Sequence, residues 1–271
     1  MTTILARRLS PLLITTICLL GAIAFLYPFA LSEQALTDLD MAHASTAPLI
    51  FATLGPALLA LMLAELSSGR LSTRSLAVLG VLTALVAVLR LPAGPGDTLT
   101  FFFLIILAGY VYGGRFGFML GALGLFVSAL LTGGVGPWMP FQMFVTGWMG
   151  LGTALLAAIG KRLRPGSWPE LALLALYGYL WGLLFGALMN LWFWPFSPES
   201  ALSWSPGLGF GETLRRYLSF YALTSFAWDS LRAIGNVVLI LALGKPILRE
   251  LRRFRDRFQF VYEHADTRRE P

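Results

Sequence analysis

The chain has 271 residues, 57% hydrophobic and only 13% charged, with a formal net charge of +6. A water-soluble domain carries about 25% charged residues, so composition excludes a soluble globular protein and indicates a chain solvated by lipid. A single cysteine, Cys18, excludes a disulfide framework and a cysteine-ligated metal site, and the two histidines, His43 and His264, lie far apart in polar segments and argue against a histidine site within the membrane.

Runs of about 17–25 apolar residues suit a bilayer crossing. In chain order they fall at about 11–31, 47–66, 75–90, 98–113, 116–131, 139–160, 170–194 and 218–244. The expected fold is an all-α integral membrane protein with about eight transmembrane helices. The first run follows Arg7 and Arg8, is too long for a signal-peptide core and lacks a small-x-small cleavage site, so it is expected to be an uncleaved anchor. The fourth and fifth runs are short and joined by the tight turn Gly113-Gly114-Arg115. With the N-terminus inside, 16 of the 20 basic residues fall in cytoplasmic segments, three (Arg90, Arg215 and Arg216) fall outside, and Arg232 lies within the last run. Glu33, Asp38, Asp40, Asp97, Glu199 and Glu212 all fall outside. The positive charge therefore reads as membrane topology and not as nucleic-acid binding, with both termini cytoplasmic.

The longest polar interruptions, about 32–46 and 195–217, are outer segments. Trp192, Trp194 and Trp204 beside the second read either as interfacial belt residues or as a lid over a binding site. In the tail, LRELRRFRDRFQF places Leu248, Leu251, Phe254 and Phe258 near one helical face among arginines, as in a helix lying on the inner membrane surface or a basic stop after the last span.

Four features carry candidate chemistry. Ala77, Gly80, Ala84 and Ala87 are spaced by 3, 4 and 3 in the third run and form a small-residue stripe, for packing within this chain or against another. Between the fifth and sixth runs, Gly133, Gly134 and Gly136 precede Pro137, Trp138 and Pro140, with Pro140 expected near the start of a helix. This sets Trp138 and Gln142 at the outer mouth, as a small-molecule contact surface or as a tight turn with an interfacial tryptophan. Asp229, Arg232 and Asn236 share a face of the last run. Buried charges must face protein, water or each other, so this set either fixes helix packing or lines a pocket. Asn190 is the other deep polar residue, close to Trp192. No nucleotide-binding loop, nucleophile set or metal cluster is apparent. Active transport would then draw on partner subunits or an ion gradient, and the scarcity of intramembrane carboxylates argues against the gradient.

The run AGYVYGGRFGFMLGALGLFVSALLTGGVGPWMPFQMFVTGWMGLG, residues 108–152, resembles the substrate-binding S components of energy-coupling factor (ECF) transporters. AVLRLPAG at 87–94, WDSLRAIGN at 228–236 and GKPILRELRRF at 244–254 are similar to the same group, so the likeness covers about 75–258. The resemblance implies a six-helix bundle that binds a vitamin or related micronutrient at its outer face. It also implies a transmembrane coupling subunit and two cytoplasmic ATPases as partners, with ATP hydrolysed by the partners and no cofactor on this chain. Substrate-binding residues would then come from Trp138, Gln142, Asn190, Trp192, Asp229 and Arg232. The family's alanine-x-x-x-alanine docking motif falls on Gly80 and Ala84, with Ala77 and Ala87 on the same stripe and glycine in the first alanine position. The GPW-x-PFQMF type of loop looks most like the group associated with cobalamin or its precursors. The expected organisation is an N-terminal extension, 1–70, carrying two additional helices; a substrate-binding core, 71–246; and a basic cytoplasmic tail, 247–271. The expected location is a prokaryotic cell membrane, and the expected function is non-enzymatic. A solitary secondary carrier and a non-transporting scaffold are the competing readings.

Overall fold

A computed structural model describes residues 2–30, 46–69, 71–91, 101–197 and 201–257, with the backbone alone described at 2–8. His43, His264, Glu33, Asp38, Asp40, Asp97, Glu199, Phe258 and the Pro-Ala-Gly of the 87–94 segment lie outside the described residues. Those residues form nine α-helices and no strand: α1 Thr2–Leu26, α2 Ala47–Ser67, α3 Thr73–Leu89, α4 Phe102–Tyr112, α5 Gly114–Thr132, α6 Met139–Gly160, α7 Trp168–Phe193, α8 Phe210–Thr224 and α9 Phe226–Arg257. The sixth expected run, 139–160, coincides with α6.

Six helical segments, those of α1, α2, α5, α6, α7 and α9, are long and apolar enough to cross a membrane. The third and fourth expected runs form the shorter apolar helices α3 and α4. With 11 residues, α4 rises about 16 Å, roughly half of a hydrocarbon layer. Its apolarity has a different cause. Every residue from Phe101 to Val111 is buried, and α4 contacts α5, α6, α7 and α9. A helix that is apolar all round is one covered on all sides, and here the cover is protein.

The last expected run, 218–244, needs correction. Its first seven residues belong to α8, which ends at Thr224; Ser225 leaves the helical path (φ −125, ψ −27), and α9 begins at Phe226. The apolar ends of the two helices abut, so hydropathy runs on across the break. Among its residues α8 carries Glu212, Arg215 and Arg216 and buries none, so it lies on the bundle and does not cross with it. In turn α9 continues unbroken for 32 residues to Arg257 and buries Leu248 and Leu251. The tail as far as Arg257 is therefore an extension of the last helix and not a separate surface helix.

Two close helix pairs organise the bundle. On α7, Gly178, Gly182 and Gly186 form a stripe against Asn236, Ala233 and Asp229 of α9, and a Cβ on Gly182 would overlap Ala233 Cα. On α5, Gly117 and Gly121 meet the α6 backbone at Gly150 and Thr146, and the Thr146 hydroxyl donates to Gly121 O at 3.0 Å. Between helices in lipid, close packing replaces the hydrophobic drive that water would supply. The two N-terminal helices pack on each other; α1 also touches α6 and α7, and α2 touches α6. At one end Glu65 of α2 accepts from Ser10 of α1 and pairs with Arg115 of α5 at 3.1 Å. Leu12, Leu19, Ile23, Leu59, Leu63 and Leu180 are exposed on the outside of the bundle, as lipid-facing side chains would be.

Candidate functional site

We call the end holding the α5–α6 turn, the C-terminus of α7 and α8 the outer end, following the charge bias. Its frame begins with α5, which closes at Gly133 in the left-handed region (φ 67), where glycine carries no steric cost. Gly134 N–H bonds back to Ala129 O. The Trp138 ring folds over its own loop: Nε1 donates to Gly134 O at 3.2 Å, and a Cβ at Gly136 would come within 2.5 Å of the indole. Pro140 sits in the first turn of α6, where its missing N–H breaks no helical bond.

Rings from three helices meet there. Trp138 and Trp192 are edge to face at 6.5 Å, and Phe141 lies 6.2 Å from Trp192. Phe25 of α1 adds an edge contact to Phe141 at 5.0 Å and a tilted one to Trp148 at 5.7 Å. Phe29, one turn on, touches Trp194 at 6.0 Å and Trp204 at 5.3 Å. Trp194 is buried, donates to Leu202 O at 2.8 Å and packs edge-on against Tyr217 of α8 at 5.1 Å. The segment from 201 to 224 is thus fastened over the end of α7. Tyr217 donates to Ala187 O, Tyr221 donates to Leu183 O at 3.2 Å, and Arg216 donates to Ser203 O at 3.1 Å. Hydrogen bonds from Arg215 and Arg216 hold the Glu212 carboxyl down to about 2.

Two amides within this aromatic setting are incompletely satisfied. Gln142, one turn below Trp138, has a buried Oε1 with no hydrogen-bond partner among the described residues. Asn190 accepts from the Ser225 hydroxyl at 2.9 Å, while its buried Nδ2 has no partner among the described residues. A buried amide atom without a partner is costly, and together they offer a waiting acceptor and a waiting donor.

Of the expected substrate residues, the structure brings Trp138 and Trp192 together at the outer end with Gln142 one turn below Trp138, while Asn190 sits at the same end on the α9-facing side of α7, bonded to Ser225. Asp229 and Arg232 lie deeper, between α7 and α9. They are buried and paired with each other; the Asp229 carboxylate fills the space a Gly186 side chain would need. Arg232 donates to Gly182 O at 3.4 Å and lies over the Phe185 ring at 5.0 Å. Asn236 donates to Gly178 O at 3.2 Å. The three polar side chains of α9 are therefore directed at the glycine stripe of α7. Phe25 and Phe29 were missed by sequence reasoning; their one signal is the spacing of four at the outer end of the first apolar run.

The α3 stripe divides. Ala77, Gly80 and Ala84 are exposed, and a Cβ on Gly80 would meet nothing within 4 Å. Packing within the described chain therefore does not account for these three. Ala87 is different, being 0% exposed and turned into the bundle. Three residues turn a helix through about 300°, so Ala87 falls about 60° behind Ala84, and that step carries it past the edge of the open face. An apolar cavity of about 730 Å³ runs beside Ala77, Val81 and Leu85 of α3 and is closed on its far side by Ile247, Leu251 and Phe254 of α9.

A family model described as ECF transporter, substrate-specific component, matches residues 74–244. No curated protein and no solved structure gives a significant match.

Proposed function

The chain belongs to the family of ECF transporter substrate-specific components, and on that premise we propose that it collects a vitamin or related micronutrient at its outer mouth and passes it inward. The observation that carries the site is the open amide of Gln142, one turn below Trp138 where that ring meets Trp192, with a second open amide, that of Asn190, on the α9-facing side of α7 one turn below Trp194. Aromatic faces supply area for a flat ligand, and two directed amide groups supply orientation. In the same reading Asp229 and Arg232 hold α7 to α9 beneath the site. Phe25 and Phe29 bring the N-terminal extension, residues 1–70, into contact with the wall of the core, 71–246.

The chain shows no nucleotide-binding loop, so the driving energy comes from partners: a transmembrane coupling subunit and two cytoplasmic ATPases. Ala77, Gly80 and Ala84 give that coupling subunit a surface that a helix can approach closely, with the apolar groove alongside. Both termini are cytoplasmic and the membrane is that of a prokaryotic cell, the orientation in which the outer mouth faces the supply of substrate.

Titration of the purified full chain with a panel of vitamins that includes cobalamins tests the site; tight binding of one of them without ATPase activity is expected. If the chain binds none of the panel and captures no coupling subunit, the importer reading fails.

A further inference from the structure

At the opposite end of the bundle, where α9 leaves its uncharged stretch, a second cavity of about 500 Å³ opens on the other side of the helix from the apolar groove. Its α9 wall presents Lys245, Arg249, Arg252 and Arg253, and its other wall is the Pro165-Gly166 turn between α6 and α7. Spacings of 4, 3 and 1 put the four cations on one helical face. Residues 233–244 carry no charge and Lys245 is the first cation after them. At the same level α7 begins with Trp168, 66% exposed, an aromatic at the boundary between hydrocarbon and headgroups. The mouth of the cavity therefore stands at the depth of lipid phosphates.

The surrounding carboxylates leave much of this charge available. Glu170 is buried and pairs with Arg252 while accepting from Tyr110 at 2.8 Å and from Gly166 N–H at 2.7 Å. Glu250 lies 3.3 Å from Arg253 and 3.9 Å from Arg249, both exposed pairs, which are individually weak. Asp256 lines the cavity but pairs with Arg255 at 2.9 Å. Lys245 has no carboxylate partner among the described residues. Its stem packs against the Gly166 turn, whose left-handed φ of 72 favours glycine.

We propose that this cavity binds the phosphate of an anionic phospholipid headgroup, held by Lys245, Arg249 and Arg253, with Pro165 and Pro246 against the glycerol region. Basic pockets between helices at this depth suit such headgroups, and both prolines line the cavity. The site is separate from the substrate mouth, and its failure would leave the importer reading untouched.

The test uses the full-length chain in nanodiscs of phosphatidylcholine, alone or mixed with phosphatidylglycerol, with native mass spectrometry of the lipid that stays bound. Phosphatidylglycerol should be retained over phosphatidylcholine. The Lys245→Gln, Arg249→Gln, Arg253→Gln triple variant should weaken that retention about a hundred-fold, since each basic side chain near an anionic surface is worth about a factor of five. Arg215→Gln, on α8, should leave it unchanged. If the triple variant does not fold, Arg249→Gln alone, at an exposed position, should still show a partial loss. Equal retention of the two lipids, or full retention by the variants, overturns the proposal. Inorganic phosphate titrated against the detergent-purified chain separates the sources: displacement of bound phosphatidylglycerol supports the phosphate contact, whereas phosphate binding without any lipid preference overturns the lipid assignment. Loss of an acidic protein partner in the variants with lipid retention unchanged also overturns it.

Discussion

Gln142 and Asn190 each present one unsatisfied amide atom inside an aromatic surround. Replacing Gln142 with Ala removes the open acceptor without breaking a hydrogen bond of its side chain. Ligand affinity should fall about ten-fold, the worth of one hydrogen bond of about 1–1.5 kcal/mol, with thermal stability unchanged; titration calorimetry and a melting curve on the same sample check both. Asp229 behaves differently. Asp229→Asn leaves Arg232 buried without its counter-charge and should cost about 3–5 kcal/mol. The Asp229→Asn, Arg232→Gln double variant should melt closer to the native protein. A double variant no more stable than the single would remove the charge pair from the account of how α7 and α9 are joined.

Helices are the scale at which the small residues act. On α3, Ala84 is exposed and Ala87 is fully buried, so the same substitution at the two positions should separate two roles. Ala84→Trp should leave folding and substrate binding intact and abolish capture of the coupling subunit. Ala87→Trp should lower stability by about 1–3 kcal/mol through overpacking. Copurification with the coupling subunit and a melting curve read the two outcomes; retained coupling in Ala84→Trp would remove the docking role from this face. On α8, Arg215 and Arg216 hold Glu212 down to about 2. A carboxylate whose pKa is lowered on folding adds stability above its ordinary range and loses it as pH falls toward the lowered value. Contacts of α8 should therefore persist through mild acid, which hydrogen exchange at Tyr217 and Tyr221 would register.

For the molecule as a whole, the N-terminal pair is joined to the rest at both ends. Phe25 and Phe29 reach the aromatic rings of the outer mouth, and Glu65 pairs with Arg115 at the inner end. A chain lacking residues 1–70 should bind its ligand more weakly and melt at a lower temperature than the full chain. Unchanged affinity would show that these rings cover the mouth without shaping it. The two cavities beside the tail of α9 share Pro246. This one helix thus separates an apolar groove beside the α3 stripe from a basic recess, and it is fastened to α7 and α4 by Arg252, Glu170 and Tyr110.

Composition and the spacing of apolar runs by themselves determined that the chain is a helical membrane protein, because transfer from water dominates at that scale and leaves its mark residue by residue. The glycine-rich segment 108–152 pointed to the family whose model covers 74–244, and the turn at Gly133 with Pro140 at the head of α6 followed from local backbone rules. What hydropathy does not distinguish is lipid from protein interior. For that reason the eleven residues of α4 look like a short span and form the centre of the core, and the apolar ends of α8 and α9 conceal the break at Ser225. The face shown by Ala87, the seating of Asn236, Ala233 and Asp229 on the α7 glycines, and the meeting of Phe29 with Trp204 were decided only by tertiary structure. Each depends on which helix lies alongside, and that choice is made by close packing between elements distant in sequence.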